Sequence, residues 1–462
     1  MRGQKKSTES SKRNSIKKTG LSRRDFMSGA AATAAFTIVP RFVLGGSGHT
    51  PPSEKLNIAS IGIGGRGASV LEGVESQNIV ALCDVDWKHA AGTFKRYPKA
   101  RQYHDFRKML DKEENNIDAV TVATPDHVHA VASMAAIKRG KHVYCEKPLT
   151  HSVYEARMIA QAAREHKVAT QMGNQGQASE ETRLMCEYIW DGAIGPVREV
   201  HVWTDRPLNG LNAVYWPQGV ERPKETPSIP YTLDWDLWLG PAPERPYHPA
   251  YAPFKWRGWW DFGTGALGDI GCHSIDPIFR ALKLGHPTSV EAVSSLVNKE
   301  TYPVASMVRY QFPERAGFPP VKLTWYDGGM RPPRPEELEN GQRLGTGGTL
   351  FIGDKGKMLG YRLIPNSRMK EYKKPPQMID RSPGHFVEWI EACKGGKPAG
   401  SNFDHAGPLA EVVLLGNIAL RPELREKMNR TKLHWDGSEM KITNILEANE
   451  FLRREYRKGW TL

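Results

Sequence analysis

Short apolar runs alternate with helical segments between residues 56 and 166, and this alternation constrains the fold more than any other feature of the chain. Four apolar runs predict strands, at residues 56–61, 79–83, 118–123 and 142–145. Helical spacing predicts helices over residues 68–74, 129–139 and 153–166. Because a helix between two strands returns the chain to start the next strand in the same direction, this order predicts a doubly wound parallel sheet in an α/β fold.

A glycine-rich turn separates the first predicted strand from the first predicted helix. It reads Gly62-Ile63-Gly64-Gly65-Arg66-Gly67. In such a setting the first glycine allows a tight turn, the second lets the backbone approach a pyrophosphate, and the third lets helix and strand pack closely. The helix N-terminus adds free N–H groups and partial positive charge. The turn therefore predicts a dinucleotide site made by Gly62, Gly64, Gly65, Arg66 and Gly67.

A carboxylate follows the second predicted strand. Asp84 comes 22 residues after Gly62, where it can accept hydrogen bonds from the adenosine ribose and would repel a 2′-phosphate. No Arg follows it directly, so NAD is favoured over NADP as the cofactor of this Rossmann domain. Further cofactor contacts are expected where later strands end, at Thr124, Pro125, Asp126 and His129. His129 is equally well interpreted as an ordinary residue of a first helical turn.

Two segments carry residues suited to acid–base chemistry. Glu146-Lys147-Pro148 ends a predicted strand on the cofactor side, although this tripeptide is also common on protein surfaces. Asp269 and His273 share one face if the segment around them is helical. A carboxylate beside an imidazole can hold the ring and raise its basicity, which suits proton removal from a hydroxyl. The alternative is a capped helix start with a packed histidine.

The character of the sequence changes after about residue 195. Strand-like runs at residues 197–203, 289–297, 305–312, 321–326 and 349–352 precede a predicted helix over 406–420. They indicate a second α/β domain with a large, mainly antiparallel open sheet. We predict a signal and linker at 1–48, the NAD-binding domain at 49–170, a substrate and oligomerisation domain at 171–430, and a C-terminal extension at 431–462.

Aromatic residues are concentrated between Trp203 and Trp260, within the predicted second domain. Six tryptophans lie there: Trp216, Trp235, Trp238, Trp256, Trp259 and Trp260. Aromatic rings stack on the apolar faces of sugar rings, so a carbohydrate cleft is one interpretation, with Trp260 as a substrate residue. The other is that these rings pack a segment with few helices. Asn174, which follows a predicted strand, is a second candidate for substrate binding.

The net charge of +13 is concentrated at the start of the chain. Residues 1–48 contain ten Lys or Arg residues and two acidic residues, so the rest of the chain carries only +5. The rest has no basic run with interleaved aromatic residues, and we expect no nucleic-acid partner. No stretch reaches the roughly 18 apolar residues that span a membrane, so no integral span is expected in the mature chain.

The basic segment is similar to a twin-arginine export signal. Ser22-Arg23-Arg24-Asp25-Phe26-Met27 follows a Lys/Arg-rich start and precedes a modestly apolar stretch at residues 30–39. The alternative is a disordered basic tail. Export to the periplasm, or otherwise out of the cytoplasm, is the expected localisation. The five cysteines form no CxxC pair, so no metal site is expected, and Cys83 and Cys145 are predicted to be buried thiols.

Together, these motifs resemble the Gfo/Idh/MocA oxidoreductase family over roughly residues 56–425. The resemblance rests on the glycine turn, Asp84, the segment 123–129, Glu146-Lys147-Pro148 and the Asp269/His273 pair. It implies a Rossmann domain followed by an α/β domain whose open sheet often mediates oligomerisation, so a homo-oligomer is expected. It also implies that Lys147 hydrogen-bonds the reacting oxygen, that His273 takes and returns the proton, and that Asp269 orients His273 or binds substrate.

Three functions follow as hypotheses. The first is an NAD-dependent oxidoreductase that moves hydride between a sugar or polyol carbon and the nicotinamide, which can be tightly bound. The second is a glycoside-cleaving hydrolase or lyase that uses NAD transiently through a keto intermediate. The third is a non-catalytic sugar- or NAD-binding protein.

Overall fold

The computed structural model describes residues 54–210, 213–428 and 432–462. The chain divides into a unit of residues 1–54 and a unit of residues 55–462, and the fold below belongs to the second unit. The predicted export signal and its cleavage region lie outside the described residues. No helix among the residues described is both long enough and apolar enough to cross a membrane.

The first half of the second unit is a parallel sheet of six strands. The strands are β1 (Asn57–Ile61), β2 (Asn78–Cys83), β3 (Arg101–Tyr103), β4 (Ala119–Val122), β5 (His142–Cys145) and β6 (Thr170–Met172). Their order is β3-β2-β1-β4-β5-β6, and every neighbouring pair is parallel. The order reverses beside β1, which creates the crevice where such sheets bind their ligands. The predicted doubly wound fold is confirmed.

Helices connect these strands and cover the sheet. They are α1 (Arg66–Val74), α2 (Trp87–Arg96), α3 (Phe106–Glu113), α4 (Asp126–Ile137) and α5 (Val153–Glu165). Local capping explains several of their starts: the Asp86 side chain accepts hydrogen bonds from the N–H groups of Lys88 and His89, and Ser152 and Glu155 form a capping box. Helices α2 and α3 and the short β3 were not predicted.

The second half is built on a sheet of nine strands. The strands are β7 (Val197–Trp203), β8 (Ser289–Ser294), β9 (Ser306–Phe312), β10 (Val321–Tyr326), β11 (Gly348–Gly353), β12 (Gly356–Leu359), β13 (Arg362–Ile364), β14 (Leu433–Asp436) and β15 (Lys441–Ile442). Their order is β13-β12-β11-β7-β10-β9-β8-β14-β15. Among these pairs only β7 and β10 run parallel, so the predicted mainly antiparallel sheet is confirmed.

Further helices follow β6 in the chain. They are α6 (Glu180–Trp190), α7 (Trp235–Leu239), α8 (Gly265–Ser274), α9 (Asp276–Ala281), α10 (Asn366–Glu371), α11 (His385–Cys393), α12 (Phe403–Ala419) and α13 (Pro422–Met428). Helix α12, predicted from residue 406, is buried along most of its length and contacts both α5 of the first half and α8. It joins the two halves into one hydrophobic core. Because this core is shared, the structure gives no boundary between the halves, and the predicted domain limits stay predictions.

The aromatic segment between β7 and α8 forms a small core of its own. Its apolar members are Leu233, Trp235, Trp238, Leu239, Ala242, Tyr251, Ala252, Trp256, Trp259 and Phe262. The buried indoles find local acceptors: Nε1 of Trp235 donates to the Arg245 carbonyl at 2.8 Å, and Nε1 of Trp259 donates to the Ala250 carbonyl at 2.9 Å. Most of these rings therefore pack the segment, and only some face a cavity.

The predicted C-terminal extension completes the second sheet and then returns to the first half. Strand β14 pairs antiparallel with β8, and β15 pairs with β14. After a 3-10 helix over Leu446–Leu452, residues 453–462 run back to helices α4, α5 and α7. Cys83 and Cys145 are buried free thiols, as predicted.

Candidate active site at the carboxyl edge of the parallel sheet

A cleft of about 400 Å³ lies at the carboxyl ends of the parallel strands. Most of the predicted cofactor residues line it: Gly62, Gly64, Gly65, Arg66, Asp84, Thr124, Pro125, His129 and Glu146. Lys147 lines it as well. Gly67 lies behind the turn, buried in the first turn of α1. The glycine turn and the segments that follow β2, β4 and β5 thus converge on one cavity of the size that holds a small ligand, whereas Asp269 and His273 are not among its lining residues.

The glycine turn is shaped by contacts that leave no room for side chains. A Cβ on Gly62 would lie 2.8 Å from the Ala123 carbonyl, and a Cβ on Gly67 would lie 1.9 Å from the Gly62 oxygen. Gly64 faces His89, whose ring would come within 2.0 Å of an added Cβ. The turn therefore leaves bare backbone facing the cleft, which is what close approach of a pyrophosphate requires.

Asp84 holds the glycine turn through hydrogen bonds to its backbone. Its Oδ2 accepts hydrogen bonds from Ile63 N at 2.8 Å and Gly64 N at 3.1 Å, and its Oδ1 accepts from Asp86 N at 2.9 Å. Burial raises the pKa of this carboxyl, although the three N–H donors oppose the rise. A carboxylate offers about four acceptor sites, so about one remains for a ribose hydroxyl. Asp84 thus positions the turn in addition to its predicted ribose contact.

Glu146 connects the end of β5 to the glycine turn. Arg66 Nε donates to Glu146 Oε1 at 2.9 Å, and the same oxygen accepts from Gln175 Nε2 at 3.2 Å. A Cβ on Gly173 would lie 2.5 Å from the Glu146 carboxylate, so glycine is needed beneath it. Glu146 lines the cleft as predicted, and the structure shows that it also fixes Arg66.

Lys147 follows Glu146 and reaches across to helix α8. Its Nζ donates to Asp269 Oδ1 at 2.6 Å and to the Asp269 carbonyl at 2.9 Å. Arg257 Nε donates to the same Oδ1 at 3.1 Å. Burial opposes the charge of Asp269, but Lys147 and Arg257 together hold its pKa well below the usual range. The result is an ionised, mostly buried triad of one carboxylate and two cations.

His273 lies one turn further along α8 and is partly buried. Burial, reinforced by the Lys147 cation, lowers its pKa to about 4. We expected Asp269 to hold the ring and raise its basicity; the carboxylate does raise the pKa of His273, but by less than burial and Lys147 lower it. The carboxylate is bonded to Lys147 and Arg257 instead, so its opposing effect on His273 is outweighed. At neutral pH the imidazole is uncharged and able to accept a proton.

His129 ties together two loops of the cleft. Its Nδ1 lies 2.7 Å from the Pro148 carbonyl oxygen, and its Nε2 lies 2.8 Å from the Thr124 carbonyl oxygen. Two carbonyl partners require both ring nitrogens to donate, which the protonated ring does. Burial opposes this charge, but Cys145, Asp126 and the Pro148 carbonyl raise the pKa of His129 to about 10. His129 therefore positions the loop that carries Lys147.

Asp126 brings a second buried carboxyl to the cleft. Its Oδ2 accepts a hydrogen bond from Thr264 Oγ1 at 2.6 Å, immediately before α8 begins. Burial raises its pKa to about 6, against the opposing effects of His129, Thr264, Lys147 and Arg257. Asp126 therefore links the loop after β4 to the helix that carries Asp269 and His273.

The two predicted substrate residues lie in different places. Asn174 follows β6 and is 1% exposed, and neither its Oδ1 nor its Nδ2 has a hydrogen-bond partner among the described residues. Trp260 lines a second cavity of about 450 Å³. Its ring lies 4.3 Å from the Arg421 guanidinium, and its Nε1 donates to the Asn298 carbonyl at 3.0 Å. The roles of both residues stay predictions.

Several cleft residues were missed by the sequence analysis. They are His89, Phe106, Arg257 and Trp460. Arg257 lies over the rings of Trp256 and Phe254, at 4.2 and 4.4 Å from their centroids. Its position within Trp-Arg-Gly-Trp-Trp was the available signal, because an arginine among aromatic residues can be held over their rings by cation–π interactions. Nothing near Trp460 in the sequence marks it as a cleft residue.

Comparison with known proteins agrees with this geometry. Residues 56–174 match a family described as oxidoreductase family, NAD-binding Rossmann fold. Residues 199–315 match its C-terminal alpha/beta domain. The WlbA dehydrogenase from Bordetella pertussis, solved with NADH and UDP-GlcNAcA, superposes with a TM-score of 0.56 at 15% identity, covering 83% of this chain and 99% of that one. At this identity the likeness shows the fold alone.

Among curated relatives, levoglucosan dehydrogenase of Pseudarthrobacter phenanthrenivorans is 28% identical over 207 residues, 45% of this chain and 42% of the relative. A glycosyl hydrolase family 109 protein of Stenotrophomonas maltophilia is 32% identical over 140 residues, 27% of this chain and 29% of the relative. The matched part thus spans less than half of either relative. The two family matches together cover about half of this chain and both of its sheets, and the chain belongs to the Gfo/Idh/MocA family of oxidoreductases.

Proposed function

We propose that this protein is an NAD-dependent oxidoreductase that transfers hydride between the hydroxyl-bearing carbon of a sugar or polyol and the nicotinamide. One observation carries the proposal: Lys147 Nζ is held 2.6 Å from Asp269 Oδ1 in the cleft that also contains the glycine turn. A fixed cation therefore adjoins a nucleotide cradle, and His273, on the same helix as Asp269, is the candidate proton acceptor. A protein that only binds sugar or NAD has no need of that arrangement.

The residues of the cleft fit NAD. The bare glycine turn offers backbone to a pyrophosphate, and the remaining acceptor site of Asp84 suits a ribose hydroxyl. A carboxylate at that position would repel the 2′-phosphate of NADP. When bound, NAD supplies the hydride acceptor, or in its reduced form the hydride donor. The further groups that the reaction needs come from the protein.

The position of Lys147 supports a role in binding the reacting oxygen. An ammonium group has three N–H donors, and Asp269 uses two of them. The third is available to a substrate oxygen, where it would stabilise the negative charge that develops as the hydroxyl loses its proton. Asp269 holds the lysine in place, and Arg257 holds Asp269. Lys147 is therefore assigned to oxygen binding and Asp269 to positioning.

His273 is assigned to proton transfer. Its lowered pKa keeps the imidazole neutral in the free enzyme, the form that accepts a proton from a hydroxyl. When the reaction runs in reverse, the same nitrogen returns the proton to the forming hydroxyl.

A carbohydrate or polyol substrate is supported by two observations. Trp256 and Tyr215 line the cleft together with Arg257, and aromatic faces with a nearby cation suit a hydroxylated ring. The similarity to levoglucosan dehydrogenase points to the same class.

The second candidate is glycoside cleavage with transient use of NAD. The similarity to a glycosyl hydrolase family 109 protein favours keeping it. In this reaction a hydroxyl is oxidised, a neighbouring bond breaks by elimination, and the hydride is returned, so added NAD is not consumed. The same Lys147 and His273 would serve both reactions.

Export through a twin-arginine pathway to the periplasm is part of the proposal. Its support is Ser22-Arg23-Arg24-Asp25-Phe26-Met27 between a basic start and an apolar stretch. A reporter fused behind residues 1–48 should be exported, and replacing Arg23 and Arg24 with Lys should retain it in the cytoplasm. Assembly as a homo-oligomer through the nine-stranded sheet is proposed as well, and its test is the mass of the protein in solution.

The purified full chain tests the enzymatic proposal. On a panel of glucosides, inositols and keto-sugars, we expect NAD to be reduced, or NADH oxidised, in step with substrate. Lys147→Ala and His273→Ala should each lower the rate at least 100-fold, whereas Lys397→Ala, at an exposed position outside both sheets, should not. Sugar cleavage without net NADH would select the second candidate. Unchanged activity in both variants would refute the site assignment.

A further inference from the structure

We propose that residues 453–462 form a strap that closes the adenine end of the cleft, with Trp460 as part of the adenine pocket, so that NAD is retained between turnovers. The inference rests on the proposed use of NAD. It adds a cofactor-binding residue from a segment that lies outside the Rossmann domain.

The strand order identifies the adenine end. In a sheet of order β3-β2-β1-β4-β5-β6, a dinucleotide lies across the reversal point with one nucleotide on each half. Asp84, which follows β2, marks the adenosine half, and Lys147, which follows β5, marks the nicotinamide half. Residues that follow β3, such as Phe106, therefore line the adenine end of the cleft.

Trp460 lies at this end. Its ring centroid is 6.0 Å from that of Phe106, and the Arg107 guanidinium lies 4.4 Å from its ring. Trp460 is 9% exposed and lines the cleft with Val128, Leu237 and Trp238. These side chains form an apolar, largely aromatic enclosure, and adenine is a flat aromatic ring that such walls accommodate by stacking.

The strap is fastened to the aromatic segment through Arg457. Its Nε donates to the Gly240 carbonyl at 3.1 Å, its Nη2 donates to the Asp236 carbonyl at 2.7 Å, and its Nη1 pairs with the Asp236 carboxylate. The backbone adds a hydrogen bond from Arg457 N to the Pro241 carbonyl at 3.1 Å. These bonds join the strap to α7, which supplies Leu237 and Trp238 to the same enclosure.

A second set of bonds fastens the strap to the Rossmann domain. Arg454 Nε and Tyr456 OH both donate to Glu155 Oε1, at 2.9 and 2.7 Å. Glu155 is 1% exposed and belongs to the capping box of α5. Further along, Lys138 Nζ donates to the Leu462 carbonyl at 2.9 Å. The strap is therefore attached on both sides of the cleft, and Trp460 lies between the attachments.

Such an enclosure predicts slow exchange of the cofactor, because the adenine can leave only when Trp460 or α7 moves. An enzyme that works where free NAD is scarce, or that returns the hydride within each turnover, requires this property.

The test measures release of NAD directly. The full chain is loaded with NADH, excess NAD is added, and the loss of bound NADH fluorescence gives the dissociation rate. We expect slow release from the unaltered protein, and release at least 10-fold faster from Trp460→Ala and from a variant that stops after Glu455. Trp460→Phe should restore slow release, since a ring remains. Leu446→Ala, at an exposed position of the same C-terminal region, serves as the control and should release NADH at the unaltered rate.

Circular dichroism and thermal unfolding show whether each variant folds, and Arg457→Ala offers a milder loosening of the strap if the shortened chain does not. If the protein binds NADH but Trp460→Ala and Arg457→Ala both release it at the unaltered rate, the strap is refuted and the proposed function stands. If the unaltered protein binds no NADH, the proposed function itself fails, and the strap with it.

Discussion

The two ends of the cleft are held together by different physical interactions. At the nicotinamide end, Asp269 is bonded to Lys147 and Arg257, and burial strengthens the coupling of these charges. At the adenine end, Phe106, Trp238 and Trp460 form an apolar enclosure. Charge coupling fixes the orientation and the protonation state of a side chain, and a side chain that takes part in the reaction needs both. Apolar walls hold a flat ring without fixing hydrogen-bond directions. This is sufficient for the adenine of a cofactor, because the adenine does not react.

This contrast separates two kinds of effect. Changes at the charged end should alter the rate of the chemical step with little effect on NAD affinity. Changes at the glycine turn or the aromatic end should alter NAD affinity or release. A variant that mixes the two effects would show that the ends are coupled.

The largest effect is expected from Asp269→Asn. Removing one charge of a buried pair leaves the Lys147 ammonium without its charged partner. Such a change typically lowers the free energy of unfolding by about 3–5 kcal/mol. We expect kcat to fall at least 100-fold, since Lys147 loses its position, while the Kd for NAD changes less than threefold.

Asp354→Asn provides the matched control. Its carboxylate pairs with Arg198 at 2.9 Å on the surface, where solvent screens the charges and such a pair contributes little to stability. Steady-state kinetics, NAD titration and urea unfolding should be measured on both variants. An unchanged kcat in Asp269→Asn would show that Lys147 does not depend on this carboxylate.

The next effect is expected from Gly64→Ala. An added Cβ would come within 2.0 Å of the His89 ring, so the turn or the ring must move. We expect NAD affinity to fall about 10- to 100-fold, which corresponds to about 1.4–2.8 kcal/mol, with kcat at saturating NAD largely kept.

Gly92→Ala on α2 is the control, because nothing lies within 4 Å of its added Cβ. Alanine favours the helix by about 0.5–1 kcal/mol, so this variant should be slightly more stable and bind NAD normally. Combining Gly64→Ala with His89→Ala should recover part of the lost affinity, and failure to recover would place the clash elsewhere.

The smallest effect is a change of stability with pH. The folded pKa of His273 is lowered to about 4, below the ordinary value of 6.5. The unfolded chain therefore binds more protons between these values, and His273 favours folding fully above pH 6.5 and loses this contribution as pH falls to about 4. Asp126 acts in the opposite direction, because its raised pKa of about 6 favours folding at low pH and this contribution is lost as pH rises through 6.

We expect His273→Gln to be less sensitive than the unaltered protein to acidification from pH 7 to about 4.5, by roughly 1–2 kcal/mol in the free energy of unfolding. Asp126→Asn should be more sensitive, since the opposing group is gone. Urea titrations at several pH values measure both. Equal pH profiles for the unaltered protein and His273→Gln would contradict the lowered pKa of His273.

Local sequence was sufficient for the parallel sheet and the nucleotide cradle. The strand at His142–Cys145 was predicted with its observed limits, and Gly62 to Gly65 form the predicted turn before α1 begins at Arg66. Apolar runs, helical spacing and the glycine pattern are each visible in a short window of sequence, so local sequence contains this information. Lys147 at the cofactor edge follows from the same reasoning, because its strand and turn are local.

Tertiary structure alone decided which residues of the site are bonded to each other. Asp269 and His273 share a helix, and their spacing suggested a pair. In the structure the Asp269 carboxylate bonds instead to Lys147, 122 residues earlier, and to Arg257 of the aromatic segment, because both are cations within hydrogen-bond distance. Trp460 reaches the cleft only after β14 and β15 have extended the second sheet and the chain has returned. Contacts between residues this distant depend on how whole elements pack, and no local pattern encodes them.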